Sequence, residues 1–472
     1  MSKRFTTYEQ AERYLFSSTN YETERRVDYH KGTFNLQRME KLLAGLGKPH
    51  EKIRTVHVAG TKGKGSTAAM LTAMLAANGL RVGLYTSPHL VDLTERIQIA
   101  GRNIPKTEFT ELMNTVFPVV EKMRRSQAPT FFEILTALAF LHFARREVDI
   151  AVVEVGMGGR LDSTNVLTPE VCCITSISFD HMKQLGNTLP KIASEKAGII
   201  KAGVPVITAP QQPDAATVIE ETAAARGAPL YTLGRNVEYH FRNERLRHEP
   251  VSNRVTVKFP HGQFRHIPVP LMGEHQGLNC GVALTAAALL KQKGWPLDFE
   301  KCITGLERTD WPGRMERIAA DPPFLLDGAH NAASMQALMK GIGQNITYDS
   351  MIVIFGCQRD KDIDGMLDQL KLGADKVVFT RTTNPRAADP FELAARMSEK
   401  YGKESQVAPD LDSAIRFARA AASREDLITV TGSLYLVGEA RRMLSAERVT
   451  AAAAAAPGSG SGALRLTAAA RG

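Results

Sequence analysis

A glycine-rich stretch with lysine and hydroxyl side chains lies in the first part of the chain. Gly60–Thr67 reads GTKGKGST, between a β-branched run that predicts a strand and an Ala-rich run that predicts a helix. Backbone N–H groups at a helix N-terminus can hold phosphate, and Lys64 can reach its terminal oxygens. The spacing departs from the usual GxxxxGK[ST] motif, since Gly65 stands between Lys64 and Ser66. We predict phosphate binding; a turn without a ligand is the alternative.

Polar side chains that could bind a ligand or take part in catalysis follow three further predicted strands. Glu154 ends one strand, where a carboxylate beside a polyphosphate is a natural magnesium ligand. Asp180-His181 follow the next strand, with Glu195-Lys196 further along the chain, and Asp327-Gly-Ala-His-Asn331 follows a strand in the second half. Each group also has a plainer interpretation as a helix cap, a structural histidine or an exposed ion pair. Their order after the glycine-rich stretch favours a shared site.

The elements that must position these residues alternate between strand and helix. Strands that are apolar nearly throughout indicate a parallel sheet with helices on both faces. A polar stretch containing Pro312 and Gly313 precedes a second alternation, so we place a domain boundary there. The fold class predicted is α/β: a P-loop-type parallel-sheet ATPase domain over 1–308 and a smaller Rossmann-like α/β domain over 309–447. An Ala/Gly/Ser-rich tail over 448–472 is predicted to be disordered.

Composition narrows the class of protein. The chain of 472 residues is 43% hydrophobic and 23% charged, which is ordinary for a globular protein. Five scattered cysteines form neither a zinc-ligand spacing nor a disulfide framework. The net charge of +9 is mild for this length, and no nucleic-acid-binding signature accompanies it. With no signal-like start and no long apolar run, we expect a cytoplasmic protein without membrane or nucleic-acid partners.

Nine motifs, within a region of roughly residues 20 to 440, carry a family resemblance. They are GTKGKGST (60–67), YTSPHL (85–90), ERIQI (95–99), PTFFEILT (129–136), VEVGMGGRLDSTN (153–165), ISFDH (177–181), IASEKAGI (192–199), WPGRME (311–316) and LDGAHN (326–331). Together they resemble the folylpolyglutamate synthase/dihydrofolate synthase family of Mur-type ligases. Two positions differ: the family's loop usually has Asn where this chain has Lys62, and its HN pair is here His275-Gln276.

The resemblance implies roles for individual residues. It places magnesium ligands at Ser87, Glu154 and His181, and a second Mg²⁺ bridged by a carbamylated Lys196. Pterin contacts fall on Thr130, Phe132 and Asp162. The ATP-binding set, from the loop and the resemblance together, is Gly60, Thr61, Gly63, Lys64, Gly65, Ser66, Thr67, Asn279, Arg314, Asp327 and His330. The catalytic set is Lys64, Lys196, His181, Asp327 and His330.

The activity implied is an ATP-dependent ligase. It would add L-glutamate to dihydropteroate, to the γ-carboxylate of reduced folates, or to both, through an acyl phosphate. The partners implied are these small molecules, ATP and Mg²⁺, and a monomer is expected. The alternatives are a cell-wall Mur ligase acting on UDP-linked muramoyl substrates and a catalytically silent nucleotide-binding regulator.

Overall fold

A large, mostly parallel sheet organises the first part of the chain. The structure is a computed structural model that describes residues 5–22, 35–244, 252–259 and 262–455. The strands of this sheet are β1 Thr55–Ala59, β2 Val82–Tyr85, β3 Ile97–Ile99, β4 Arg102–Asn103, β5 Ile150–Glu154, β6 Val171–Ile174, β7 Val206–Thr208 and β8 Leu230–Thr232. They lie in the order β4-β3-β2-β5-β1-β6-β7-β8. The pairs from β2 to β8 are parallel, whereas β3 and β4 add an antiparallel edge.

Helices cover both faces of this sheet. They are α1 Tyr8–Phe16, α2 Leu36–Gly45, α3 Lys64–Ala77, α4 Lys106–Gln127, α5 Phe131–Arg145, α6 Met182–Leu185, α7 Leu189–Ala197, α8 Pro213–Ala225, α9 Glu274–Gln292 and α10 Phe299–Glu307. Successive residues of β5 point to opposite faces, as the pleat requires. Val152 packs in the cluster containing α3 and α9, and Val153 in the cluster containing α4 and α5. This two-sided burial explains the continuous apolar runs of the strands.

A second sheet forms the remaining α/β unit. Its strands are β12 Glu316–Ile318, β13 Phe324–Leu326, β14 Met351–Phe355, β15 Lys376–Phe379, β16 Gln406–Val407 and β17 Leu427–Thr431. They lie in the order β12-β13-β17-β14-β15-β16. All neighbours are parallel except β12 and β13. Its helices are α11 Ala332–Asn345, α12 Ile363–Gly373, α13 Pro390–Tyr401, α14 Leu411–Ala421 and α15 Leu434–Ala455. The α/β class predicted for the chain is confirmed.

The strands of a small antiparallel sheet lie between β8 and α9. They are β9 Glu238–Glu244, β10 Ser252–Phe259 and β11 Gly262–Pro268. The buried face of β10 alternates regularly, with Val255 and Val257 inward. Sequence reasoning did not anticipate this sheet, although the alternation was visible.

The C-terminal helix differs from expectation. α15 runs to Ala455, so the predicted disorder of 448–472 does not hold for its first eight residues. Alanine has the highest helix propensity of the amino acids, so the Ala run prolongs the helix. Residues 456–472 lie outside the described part of the chain. Among the described residues, none of the helices combines the length and apolar character needed to cross a bilayer.

We expect deletion of residues 450–472 to change the melting temperature by less than about 2 °C, because an Ala/Gly/Ser-rich segment buries little apolar surface. Leu444→Ala in the same helix is the contrasting variant. Leu444 is 2% exposed, and truncating such a side chain costs about 2–5 kcal/mol. Differential scanning calorimetry of both variants tests this; a fall of several degrees on tail deletion would contradict it.

Candidate active site

The phosphate loop joins β1 to α3. Gly60 has φ +149°, and a Cβ there would lie 1.8 Å from Thr175 Oγ1. Gly63 has φ +88°, and a Cβ there would lie 2.0 Å from Asn279 Oδ1. Both positions therefore require glycine. Gly63 is the N-cap of α3 and has no side chain to cap it. The N–H groups of the first turn are therefore available to an anion at the helix N-terminus.

Four neighbouring parallel strands end beside this loop. The strands β2, β5, β1 and β6 are adjacent in the sheet. Their C-terminal ends lead to Ser87, Glu154, the loop and Asp180 respectively. Because parallel strands end at one edge, residues distant in sequence meet here. Glu154 Oε2 accepts a hydrogen bond from the Ser87 N–H at 3.2 Å, and Lys64 Nζ lies 3.9 Å from Glu154 Oε1. Ligand-binding edges of doubly wound sheets have this arrangement.

Glu154 has the character of a cation ligand. Its residue exposure is only 4%, and burial raises the pKa of its carboxyl above the ordinary value, with Lys64 opposing the shift. A buried carboxylate with one backbone hydrogen bond and a lysine at 3.9 Å keeps lone pairs for a metal ion. The Glu154 carboxylate therefore fits Mg²⁺.

The other two predicted metal ligands behave differently. Lys196 is buried and donates from Nζ to the Gly60 carbonyl at 2.8 Å. Burial, assisted by the charge of Lys64, lowers the pKa of Lys196 to about 7. His181 has a side chain 48% exposed, 4.0 Å from Asp180 Oδ1. Within the described ranges, no three His, Cys, Asp or Glu side chains cluster closely enough to hold a metal.

The second α/β unit carries three of the predicted site residues. Asp327 accepts hydrogen bonds from the N–H groups of Met315 (2.9 Å) and Ala329 (2.8 Å), and burial raises the pKa of its carboxyl. The Arg314 guanidinium donates to the Gly313 carbonyl at 3.0 Å and interacts electrostatically with Asp327 and Glu154. His330 reaches the phosphate loop itself, as its Nε2 lies 3.0 Å from Lys62 Nζ.

The residues predicted to contact a pterin lie beside the Glu154 strand. Thr130 is the N-cap of α5. Its Oγ1 accepts a hydrogen bond from the Glu133 N–H at 3.2 Å, and its own N–H donates to the Glu133 carboxylate at 2.7 Å. Phe132 packs so closely on Gly156 that a Cβ there would lie 2.5 Å from its ring. Asp162 accepts from the Met157 N–H at 2.9 Å and from the Thr164 hydroxyl at 2.5 Å. It holds the shape of the glycine-rich loop that follows β5.

Four side chains of the site received no role from the sequence. Asp180 lies between lysines of both α/β units, Lys62 at 3.0 Å and Lys361 at 3.5 Å. Trp311 packs over the phosphate loop, since a Cβ at Gly65 would lie 3.0 Å from its ring. Two signals in the sequence pointed to this cluster, namely Asp180 after a predicted strand and the departure at Lys62.

The fold and the site define a Mur-type ligase. The chain matches the Mur ligase middle domain over residues 58–287 and the Mur ligase glutamate ligase domain over 313–434. It is 38% identical over 415 residues to a Bacillus subtilis dihydrofolate synthase/folylpolyglutamate synthase, covering 87% of this chain and 94% of the relative. The chain thus belongs to the folylpolyglutamate synthase/dihydrofolate synthase family, which confirms the resemblance, and it is an ATP-dependent ligase.

Solved structures agree with this placement. A Mycobacterium tuberculosis folylpolyglutamate synthase complexed with ADP has a TM-score of 0.83 and 32% identity, covering 93% of this chain and 98% of its own. An Escherichia coli FolC in complex with DHPP and ADP has a TM-score of 0.81 and 28% identity, covering 94% and 99%. These relatives favour a folate ligase over the two alternatives, a cell-wall ligase and a silent regulator.

Proposed function

We propose that this chain uses ATP to ligate L-glutamate both to dihydropteroate and to the γ-carboxylate of reduced folates. The observation that carries the proposal is the convergence of basic side chains on the phosphate loop. These side chains are Lys64, Arg314 and Lys361, with Lys62 held beside them by Asp180. Ammonium and guanidinium groups beside the N-terminus of a helix suit a polyphosphate.

The chemistry follows from that charge. The acceptor carboxylate attacks the terminal phosphorus of ATP, ADP leaves, and an acyl phosphate forms. The glutamate amine then attacks the acyl carbon, phosphate leaves, and the amide remains. Lys64 and Arg314 are placed to neutralise charge on the transferring phosphoryl group, which is the main catalytic need of such a transfer. The reaction needs no covalent protein nucleophile.

Glu154, Ser87 and His181 would hold Mg²⁺, since Glu154 is a buried carboxylate and the His181 side chain is exposed. Bound there, the ion supplies charge neutralisation at the phosphates. Lys196 is suited to carbamylation, because a pKa of about 7 leaves a large fraction of the amine uncharged and nucleophilic toward CO₂ at neutral pH. The carbamate would give this buried position the negative charge that a second cation requires.

The acceptor site is proposed beside β5. Phe132 is partly exposed, whereas the preceding Phe131 is fully buried, so one ring packs in the core while the other keeps a face for a pterin. Each oxygen of Asp162 already accepts from the loop, yet a carboxylate has about four acceptor sites. Asp162 therefore retains capacity to accept from an amino edge while it shapes the loop.

We expect the enzyme to form dihydrofolate from dihydropteroate and also to lengthen reduced folates. Each acceptor is offered separately with ATP and glutamate, and products are identified by mass spectrometry alongside phosphate release. Absence of dihydrofolate at saturating substrates would refute the first activity. Asp162→Ala should weaken dihydropteroate binding by about tenfold or more, as expected when a buried charged acceptor is lost. Asp214→Ala, on the distant helix α8, is the control.

A further inference from the structure

A polar cluster links the two α/β units at the phosphate loop. Lys62 Nζ donates to Asp180 Oδ2 at 3.0 Å and lies 3.0 Å from His330 Nε2. Lys361, which follows β14 of the second unit, lies 3.5 Å from Asp180 Oδ1. One residue of the first unit and two of the second therefore meet around the Asp180 carboxylate. The cluster holds the pKa of Asp180 far below its ordinary value, although burial alone would raise it.

The hydrogen bonds of His330 define where its proton lies. Its Nδ1 is 2.8 Å from the Gly328 carbonyl, which can only accept, so Nδ1 carries the hydrogen. Nε2 then presents a lone pair to the Lys62 ammonium at 3.0 Å, while the Asp180 Oδ2 carboxylate oxygen lies farther from it, at 3.7 Å. The positive charge of Lys62, together with burial, lowers the pKa of His330 to about 4, in keeping with a neutral ring. Burial lowers the pKa of Lys62 only to about 8, so the ammonium predominates at neutral pH.

The length of the Lys62 side chain allows it to span the gap between the two units. Lys62 precedes Gly63 on the first unit, and its four methylene groups carry the charge across to His330. An asparagine at this position, usual in the family, has one methylene group and no charge. It could not donate a charge-assisted hydrogen bond to Asp180 and His330 together.

We propose that Lys62 is a positioning residue of the ligase, which fixes His330 against the phosphate loop and thereby couples the loop to closure of the second α/β unit. The inference rests on the proposed ligase function for its kinetic consequence, but the link between the two units is independent of turnover. Lys62 acts through His330, whereas Lys64 acts on the phosphates.

A double-mutant cycle tests this. We expect Lys62→Asn to lower kcat about 10- to 100-fold, the usual effect of displacing a catalytic group by around 1 Å, with the KM for ATP changed less than about threefold. In the His330→Asn background, the same substitution should lower kcat less than about twofold. Lys340→Asn is the matched control, because Lys340 also forms an ion pair between the units, with Glu274, but is exposed. Full additivity of the two losses would overturn the proposal, as would a KM for ATP that rises as much as kcat falls.

Closure supplies a readout that needs no catalysis. Small-angle X-ray scattering with ADP should give a smaller radius of gyration for the wild type and the Lys340→Asn control than for Lys62→Asn. Equal radii for all three would contradict the proposed coupling. If the wild type closes in this Lys62-dependent manner but ligates no glutamate to either acceptor, the coupling stands and the proposed function fails.

Discussion

Lys64→Ala is expected to reduce ATP-dependent ligation by about 100- to 1,000-fold while the protein remains folded. Lys64 is the first residue of α3, directly after the loop that requires glycine at positions 60 and 63. Its Nζ lies 3.9 Å from Glu154 Oε1. Loss of one preorganised donor to a transition-state charge has an effect of this size. Phosphate release at saturating acceptor and glutamate, over a range of ATP concentrations, measures it.

The control for this prediction is Lys258→Ala. Lys258 is 60% exposed on β10 and pairs with Glu238, so its loss removes one positive charge without touching the site. We expect near wild-type turnover from it, and the same melting temperature for both variants. Activity of Lys64→Ala within a few-fold of the wild type would exclude the phosphate-loop assignment.

Glu154→Gln should raise the magnesium concentration for half-maximal activity by at least about tenfold and depress turnover at saturating magnesium. The amide keeps the shape of the side chain, and its oxygen can still accept the Ser87 N–H, so the change isolates the charge. Even indirect partners of metal ligands alter affinity by about 10- to 100-fold when removed. A magnesium titration of turnover, with the free ion buffered, gives the value.

Glu170→Gln is the matched control for Glu154→Gln. Glu170 immediately precedes β6, at the opposite edge of the same sheet, where it pairs with Arg54 at 2.9 Å and Lys293 at 2.7 Å. Its substitution removes a carboxylate and two ion pairs but should leave the magnesium dependence unchanged. An unchanged magnesium dependence in both Glu154→Gln and His181→Ala would place the metal elsewhere.

Local patterns allowed much of the parallel framework to be predicted. The β-branched run before Gly60 indicates β1, and the Ala-rich run Lys64–Asn78 indicates a helix that ends one residue beyond α3. The apolar run Asn279–Gln292 indicates a helix, but α9 begins five residues earlier, at Glu274, because its polar first turn lacks the apolar signal. The type of these elements was recoverable from sequence, whereas the start of α9 and the small sheet β9–β11 were not.

The arrangement of the site was less accessible. Periodicity shows that a residue ends a strand but not which strand lies beside it, and the order β2-β5-β1-β6 brings Ser87, Glu154 and Asp180 to one edge. The contact of Lys62 with His330 joins residues 268 positions apart. Such contacts follow from sheet order and from the docking of the two units, neither of which has a local sequence signal.

The polar cluster at the phosphate loop also bears on how a catalytic cycle ends. Asp180 of the first unit lies 3.5 Å from Lys361, and Lys62 lies 3.0 Å from His330, with Lys361 and His330 both in the second unit. Separation of the two units has to break both contacts, and opening of a closed cleft is often slower than the chemistry it protects. The cluster that closes the cleft thus also sets part of the barrier to release of the products.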